Sequence, residues 1–234
     1  MRFTFTLFIR KALKLLRLII FIFFFSTILV TIIYRFVRPP VIPLQLIRVA
    51  EQLADGKDIK SKRNWVPLDE ISPNMVRAVI ASEDNNFLKH CGIDFDAVRK
   101  AHELNKKGKR MRGASTISQQ TAKNVFLWPH RNWLRKGLEV YFTGLIEIFW
   151  GKKRIMEVYL NVIEMGDGIY GVEMASETYF HKPAKNLNSS EAARIAAVLP
   201  NPRRWNAGAP SPYILRRQQS IERVMRQLGK IELE

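Results

Sequence analysis

Residues 80–94 read Ile-Ala-Ser-Glu-Asp-Asn-Asn-Phe-Leu-Lys-His-Cys-Gly-Ile-Asp, which brings two acids, an aromatic ring, a histidine and a glycine into one short span. A carboxylate at the C-terminal end of a helix faces the partial negative charge of the last carbonyls. A neighbouring acid adds to the cost of ionising it, so Glu83, next to Asp84, should have a raised pKa. That is the property of a general base working near neutral pH. The plain alternative is a solvated acidic turn.

A second constellation lies between Arg99 and Lys136. Arg99, Lys100, Lys106, Lys107, Lys109, Arg110, Arg112, Lys123, Arg131, Arg135 and Lys136 face the single acid Glu103. Within it, Arg112-Gly113-Ala114-Ser115-Thr116 leads into Ile117-Ser118-Gln119-Gln120-Thr121-Ala122-Lys123-Asn124. Small residues ahead of a hydroxyl-rich helix N-terminus suit a phosphate, because the free N–H groups and the helix dipole both favour an anion. Ser115, Gln119 and Lys123 fall on one face at i, i+4, i+8. Arg135-Lys136-Gly137-Leu138-Glu139 adds a second carboxylate, four residues from an arginine. An i,i+4 ion pair accounts for that spacing, and on a surface contributes only about 0–1 kcal/mol. The functional alternative is a cationic site for a diphosphate, with Glu139 orienting the bases.

The elements that must position these groups read as helices. Ser72-Pro73 supplies an N-cap and a first-turn proline for a helix from about Pro73 toward Glu83. Met75, Val76, Val79 and Ile80 form its apolar face. Asp94 can cap a helix running to Leu104, which Gly108 ends in a basic loop over residues 106–113. Ser115 is the expected cap of a helix from Thr116 to Phe126. Trp133 to Trp150 is strongly amphipathic, and Gly151 closes it. Further helices are expected over Lys153–Leu160, Tyr170–Phe180, an Ala-rich stretch opened by Asn188-x-x-Glu191, and one from Ser211-Pro212 to Gly229. No segment alternates convincingly with period two, so the expected fold is mainly α.

Composition sets the surroundings. The 234 residues carry 38 Lys+Arg against 21 Asp+Glu, a formal +17, so anionic partners are expected. Hydrophobic content of 47% suffices for a sizeable core. The single Cys91 excludes an internal disulfide, and the four scattered histidines have no metal-ligand spacing. Leu18 to Tyr34 is free of charge, and as a helix reaches about 25 Å at about 1.5 Å per residue, near the hydrocarbon thickness once its apolar flanks are added. Arg2, Arg10, Lys11, Lys14 and Arg17 precede it, which predicts a cytoplasmic N-terminus and an exported remainder. No small-x-small cleavage site follows, so an uncleaved anchor is expected rather than a signal peptide. The expected organisation is a cytoplasmic basic N-terminus at 1–17, a transmembrane helix at 18–37, a juxtamembrane linker at 38–64 and a catalytic domain at 65–234. Leu44-Gln45-Leu46-Ile47-Arg48-Val49 is apolar and basic enough to lie on a membrane surface.

Four ordered motifs then amount to a resemblance. Glu83-Asp84-x-x-Phe87-x-x-His90-x-Gly92, Gly113 to Asn124, Arg135-Lys136-x-x-Glu139, and Arg154-Ile155-Met156-Glu157-Val158-Tyr159-Leu160-Asn161 resemble the signatures of the peptidoglycan glycosyltransferases. The departures are Ala114 for the second glycine of Gly-Gly-Ser-Thr, Ser118 for threonine, and His181 for glycine after Tyr179-Phe180. The resemblance implies a lysozyme-like domain with a smaller membrane-proximal lobe, which polymerises lipid II into β-1,4-linked glycan with release of the lipid diphosphate. It implies catalytic roles for Glu83 and Glu139. It implies substrate contacts by Asp84, Phe87, His90, Ser115, Thr116, Gln119, Gln120, Lys123, Asn124, Arg135, Lys136 and Lys152. Tyr159 and Asn161 are expected to be structural supports. No cofactor is required by it, although a divalent cation (Mg or Mn) could assist. The implied partners are lipid II, the growing glycan chain, the membrane crossed once, and other cell-wall synthesis proteins, but no nucleic acid. The implied place is the cytoplasmic (inner) membrane, with the domain on the periplasmic or outer side. A lytic muramidase is the competing enzyme reading, and a basic membrane-tethered adapter the non-enzymatic one.

Overall fold

The computed structural model describes residues 2–106, 114–130 and 132–233. Two compact units divide the chain at Arg38/Pro39.

The first unit is a single helix, α1, over Arg2–Phe36. It extends well ahead of the apolar run because no glycine or proline interrupts residues 2–36. The stretch Arg10–Phe36 is long and apolar enough to cross a membrane. Two threonine hydroxyls in its apolar stretch bond within the helix. Thr27 Oγ1 donates to the Phe23 carbonyl at 2.7 Å and Thr31 Oγ1 to the Thr27 carbonyl at 2.8 Å.

The second unit is mainly α. After α2 (Pro43–Ala54) come α3 (Pro73–Glu83), α4 (Phe95–Lys106), α5 (Ile117–Phe126), α6 (Trp133–Phe149), α7 (Gly151–Val162), α8 (Val172–Phe180), α9 (Ser189–Val198) and α10 (Pro212–Leu228). Most ends carry the caps that their sequences dictate. Ser72 Oγ accepts from Asn74 N and Asn188 forms a capping box with Glu191. Ser211 Oγ caps α10. The expected basic loop falls mostly on residues 107–113, outside the described residues.

Two helical layers build the core. In one, α3, α9 and α10 pack together. Ala192, Ala193, Ala196 and Ala197 are buried on α9, and their small side chains let α3 and α10 approach closely. In the other, α5 packs on α6 and α7 through Ile117, Val125, Ile146, Ile155 and Leu160. Asn161 ties α7 to the chain ahead of α3. Its Oδ1 accepts from Val66 N and its Nδ2 donates to Val66 O, both at 2.9 Å.

A small sheet accompanies the helices of this mainly α fold. β1 (Lys62–Arg63) runs parallel to β3 (Ile169–Tyr170), and β2 (Glu164–Gly166) pairs antiparallel with β3 across a bulge. Tyr170 therefore lies in a strand, and α8 starts only at Val172. Strands of two or three residues are too short to show any alternation.

His181, where glycine is usual in the resembling family, is the one described non-glycine residue with positive φ, at 55°. It ends α8 in the left-handed conformation, which costs about 1–2 kcal/mol for a residue with a Cβ. His181→Gly is expected to stabilise the protein by about 1 kcal/mol and to raise the thermal midpoint by about 2–4 °C, read by thermal unfolding in detergent. A lower midpoint would mean that the imidazole makes contacts worth more than the backbone strain.

Candidate active site

Glu83 closes α3, and its carboxylate is held from both oxygens. Oε1 accepts from Ser82 Oγ at 2.9 Å, and Oε2 accepts from Gln120 Nε2 at 3.0 Å. Arg217 Nη2, on α10, stands 3.9 Å from Oε1. Acceptance at both oxygens is the hydrogen-bonding pattern of an ionised carboxylate. Glu83 lines a small cavity of about 200 Å³ together with Asp84, Asn85, Asn86, Asp94, Ser115 and Thr116, so a ligand hydroxyl could reach it.

Asp84 lines the same cavity but has partners of its own. Its Oδ1 lies 2.9 Å from His90 Nε2, and its Oδ2 accepts from the Ile117 backbone N–H at 3.1 Å. The acid next to Glu83 is thus spent on the N-terminus of α5, where the dipole favours it. The His90 carbonyl accepts from Lys152 Nζ at 2.7 Å, and Lys152 also pairs with Glu147 at 2.7 Å and lies over the Phe87 ring at 4.6 Å. Ser118 Oγ donates to the same Glu147 carboxylate. Phe87 is fully buried. Asp84, Phe87, His90 and Lys152, expected as substrate contacts, therefore form a joint that fixes α5, α6 and α7 around the Glu83 turn. Gly92 belongs to the same joint: its φ is +86°, a Cβ there would come within 2.6 Å of Thr143 Cγ2, and its carbonyl accepts from Thr116 Oγ1.

The start of α5 differs from expectation by one residue. Thr116, not Ser115, is the cap, in a reciprocal box with Gln119. Gln119 is buried and its Oε1 accepts from the Thr116 backbone N–H, which removes it from the supposed Ser115–Gln119–Lys123 face. Ser115 is exposed at the small cavity. Gln120, Lys123 and Asn124 are the residues of α5 that open on a larger cavity. These three line a cavity of about 350 Å³, with Arg48 and Leu44 of α2 and Glu164 of β2 across from them. Gln120 thus touches both places: its amide bonds Glu83, and its side chain walls the Lys123 cavity. Burial pushes the Glu164 carboxyl up, against the opposing pull of Arg48.

Behind Gln120 stands Tyr159, whose Oη lies 3.3 Å from Gln120 Oε1. Burial first, then the Glu83 and Asp84 charges, push its phenol well up, so it stays a protonated donor. Arg48, Ser82, Glu164 and Arg217 also reach the site, and sequence reasoning did not single them out as site residues. Arg48 sits in an apolar-basic piece assigned to the membrane surface, and Arg217 in an amphipathic helix rich in arginine. Neither pattern carries a local signal of contact with residues so distant in sequence.

Glu139 on α6 is buried and takes one cation on each oxygen, Arg135 Nη1 and Lys136 Nζ, both at 2.5 Å. Asn132 caps this helix by accepting from Arg135 N. The trio lines neither of the two cavities above. Arg135 is as buried as Glu139, so the pair is no surface bridge, and breaking it would strand a buried charge. Glu139→Ala is expected to cost about 3–5 kcal/mol in denaturant unfolding. A loss below about 1 kcal/mol would show the pair to be solvent-weakened. Among the described residues no group of three or more His, Cys, Asp or Glu is placed to hold a metal ion.

The sequence matches the family model described as transglycosylase over residues 50–226. A biosynthetic peptidoglycan transglycosylase of Bacteroides thetaiotaomicron is 55% identical over 222 residues, covering 95% of this chain and 90% of the relative. One of Rhodospirillum centenum is 58% identical over 192 residues, 82% of this chain and 81% of the relative. One of Haemophilus influenzae is 50% identical over 213 residues, 90% and 87% of the two chains. With the helical fold and the four motifs in order, these matches establish that the chain belongs to the transglycosylase family.

Proposed function

We propose that the chain is a membrane-anchored peptidoglycan glycosyltransferase that polymerises lipid II, with Glu83 as its general base. Glu83 takes the proton from the acceptor sugar hydroxyl as that oxygen attacks the anomeric carbon of the donor. The donor's bond to its lipid diphosphate breaks, the centre inverts, and a β-1,4 link forms. Diphosphate is a good leaving group, so the site needs one base, firm positioning and positive charge. Lys123 meets the departing diphosphate, and Gln120 and Asn124 hold polar groups beside it. Arg135 and Lys136, braced by Glu139, add to the positive field. A divalent cation, where one takes part, comes with the diphosphate rather than with the protein. The anchor keeps the N-terminus cytoplasmic and the domain on the outer side of the inner membrane, with Leu46 and Leu53 exposed on α2 toward lipid. Other cell-wall synthesis proteins that use the same lipid substrate are its expected company.

The observation that carries this reading is the pairing of Glu83 with the Lys123 cavity through one residue, Gln120. The competing muramidase would need a protonated acid at Glu83 and a hydrolytic water. The two donors on its carboxylate favour a proton acceptor instead.

Purified full-length protein in detergent is expected to convert lipid II into glycan polymer. Glu83→Gln should slow this by at least about 100-fold while lipid II binding persists. Near-normal turnover in that variant would move the base elsewhere, and shortening of preformed glycan without polymerisation would make the chain a hydrolase. Lys123→Ala should weaken lipid II affinity and turnover alike, by about tenfold each, because attraction to phosphate acts before and during bond breaking. Unchanged affinity would remove Lys123 from the diphosphate.

A further inference from the structure

The two oxygens of Glu83 are held by different parts of the fold, and each holder is itself held by a residue that no family motif places at the reaction centre as a contact. On the Oε2 side, Gln120 is an amide with two unlike ends. Its Oε1 meets the Tyr159 hydroxyl at 3.3 Å, and its Nε2 meets Glu83 at 3.0 Å. Were the amide to turn over, its oxygen would face the carboxylate oxygen. A buried phenol that donates to Oε1 therefore fixes the end that Gln120 shows to the base.

On the Oε1 side, Ser82 Oγ is 2.9 Å from Glu83 and also 3.3 Å from the Ala196 carbonyl, and it has one hydrogen to give. Arg217 Nη2 donates to Ser82 Oγ at 3.2 Å, which occupies a lone pair and steers that hydrogen. The same guanidinium is anchored by Nε to the Ala197 carbonyl at 3.1 Å, in the last turn of α9 where a cation is favoured. Its charge stands 3.9 Å from Glu83 Oε1, too far for the direct fork that would immobilise it.

We propose that Tyr159 and Arg217 are positioning residues for the transglycosylation reaction: acting through Gln120 and Ser82, they brace the Glu83 carboxylate from opposite oxygens. This rests on Glu83 being the base of the proposed function. Neither residue touches the reacting atoms. The two arms come from α7 and α10 and reach opposite oxygens of one carboxylate through separate residues, Gln120 and Ser82, so a double variant measures whether their effects add.

The test uses full-length protein in detergent, with initial rates of lipid II polymerisation measured against lipid II concentration. Tyr159→Phe keeps the ring in the core and removes only the hydroxyl. Arg217→Gln removes the charge, and Arg217→Lys retains it. Tyr159→Phe and Arg217→Gln are each expected to lower kcat about tenfold with KM within twofold, since a shifted base affects the chemical step and not substrate capture. The double variant should lose about a hundredfold, and Arg217→Lys should recover most of the loss of Arg217→Gln. Wild-type kcat in both single variants would overturn the brace. So would Arg217→Lys being as slow as Arg217→Gln, or KM rising in step with the fall in kcat. A wild-type chain that makes no polymer would overturn the proposed function and the brace together, whereas an active wild type with unaffected variants overturns the brace alone.

Discussion

Two carboxylates adjacent in sequence that share a poorly hydrated space raise each other's cost of ionisation, and the structure answers by giving Glu83 and Asp84, which line one small cavity, separate sets of hydrogen-bond partners. Asp84 points inward, to His90 and to the free Ile117 N–H at the start of α5. That single capture does two things. It gives the competing carboxylate hydrogen-bond partners of its own, and it pins the N-terminus of α5 to the end of α3. Gln120 and Lys123 are then carried to the Glu83 side by helix geometry, one turn apart on the same face. The Lys152–Glu147–Ser118 contacts and the buried Phe87 ring stiffen the joint. Much of the first motif is thus architecture for its first residue, and the arms from α7 and α10 complete the hold.

Charge is distributed with the same economy. The Lys123 cavity combines two cations, Lys123 and Arg48, with the buried Glu164, and so presents a modest positive site next to neutral amides. A second site of the same balance sits on α6, where Glu139 compensates Arg135 and Lys136. A departing diphosphate entering such a field exchanges water for preorganised donors without requiring the protein to rearrange. Buried compensation on α6 also explains how arginine can sit in a helical core beside α5 without unfolding it.

Much of this was legible in the residues themselves. The caps at Ser72, Asp94, Asn188 and Ser211 mark helix starts because a side-chain oxygen there has one local job, which spacing reveals. The amphipathic run from Trp133 is equally local. Long-range partners leave no such trace: Arg217 meets Glu83 across more than a hundred residues, and Arg48 reaches the Lys123 cavity from a segment whose pattern suits a membrane surface. The shift of the α5 cap from Ser115 to Thr116 has the same origin. Either hydroxyl could cap, and the choice was made by Gly92, whose carbonyl takes Thr116 Oγ1. The strands around Tyr170 are too short for periodicity and exist because β1 arrives from a distant part of the chain to pair with β3.

The central claim is spatial: one carboxylate and one diphosphate site share a wall, and Gln120 is that wall. A crystal structure of the full-length protein with a non-hydrolysable lipid diphosphate sugar tests it most directly. The account predicts the diphosphate against Lys123 and Asn124 in the cavity between α2 and α5, with a sugar hydroxyl within hydrogen-bond reach of Glu83. Diphosphate bound away from that cavity, with Glu83 left facing solvent, would contradict it.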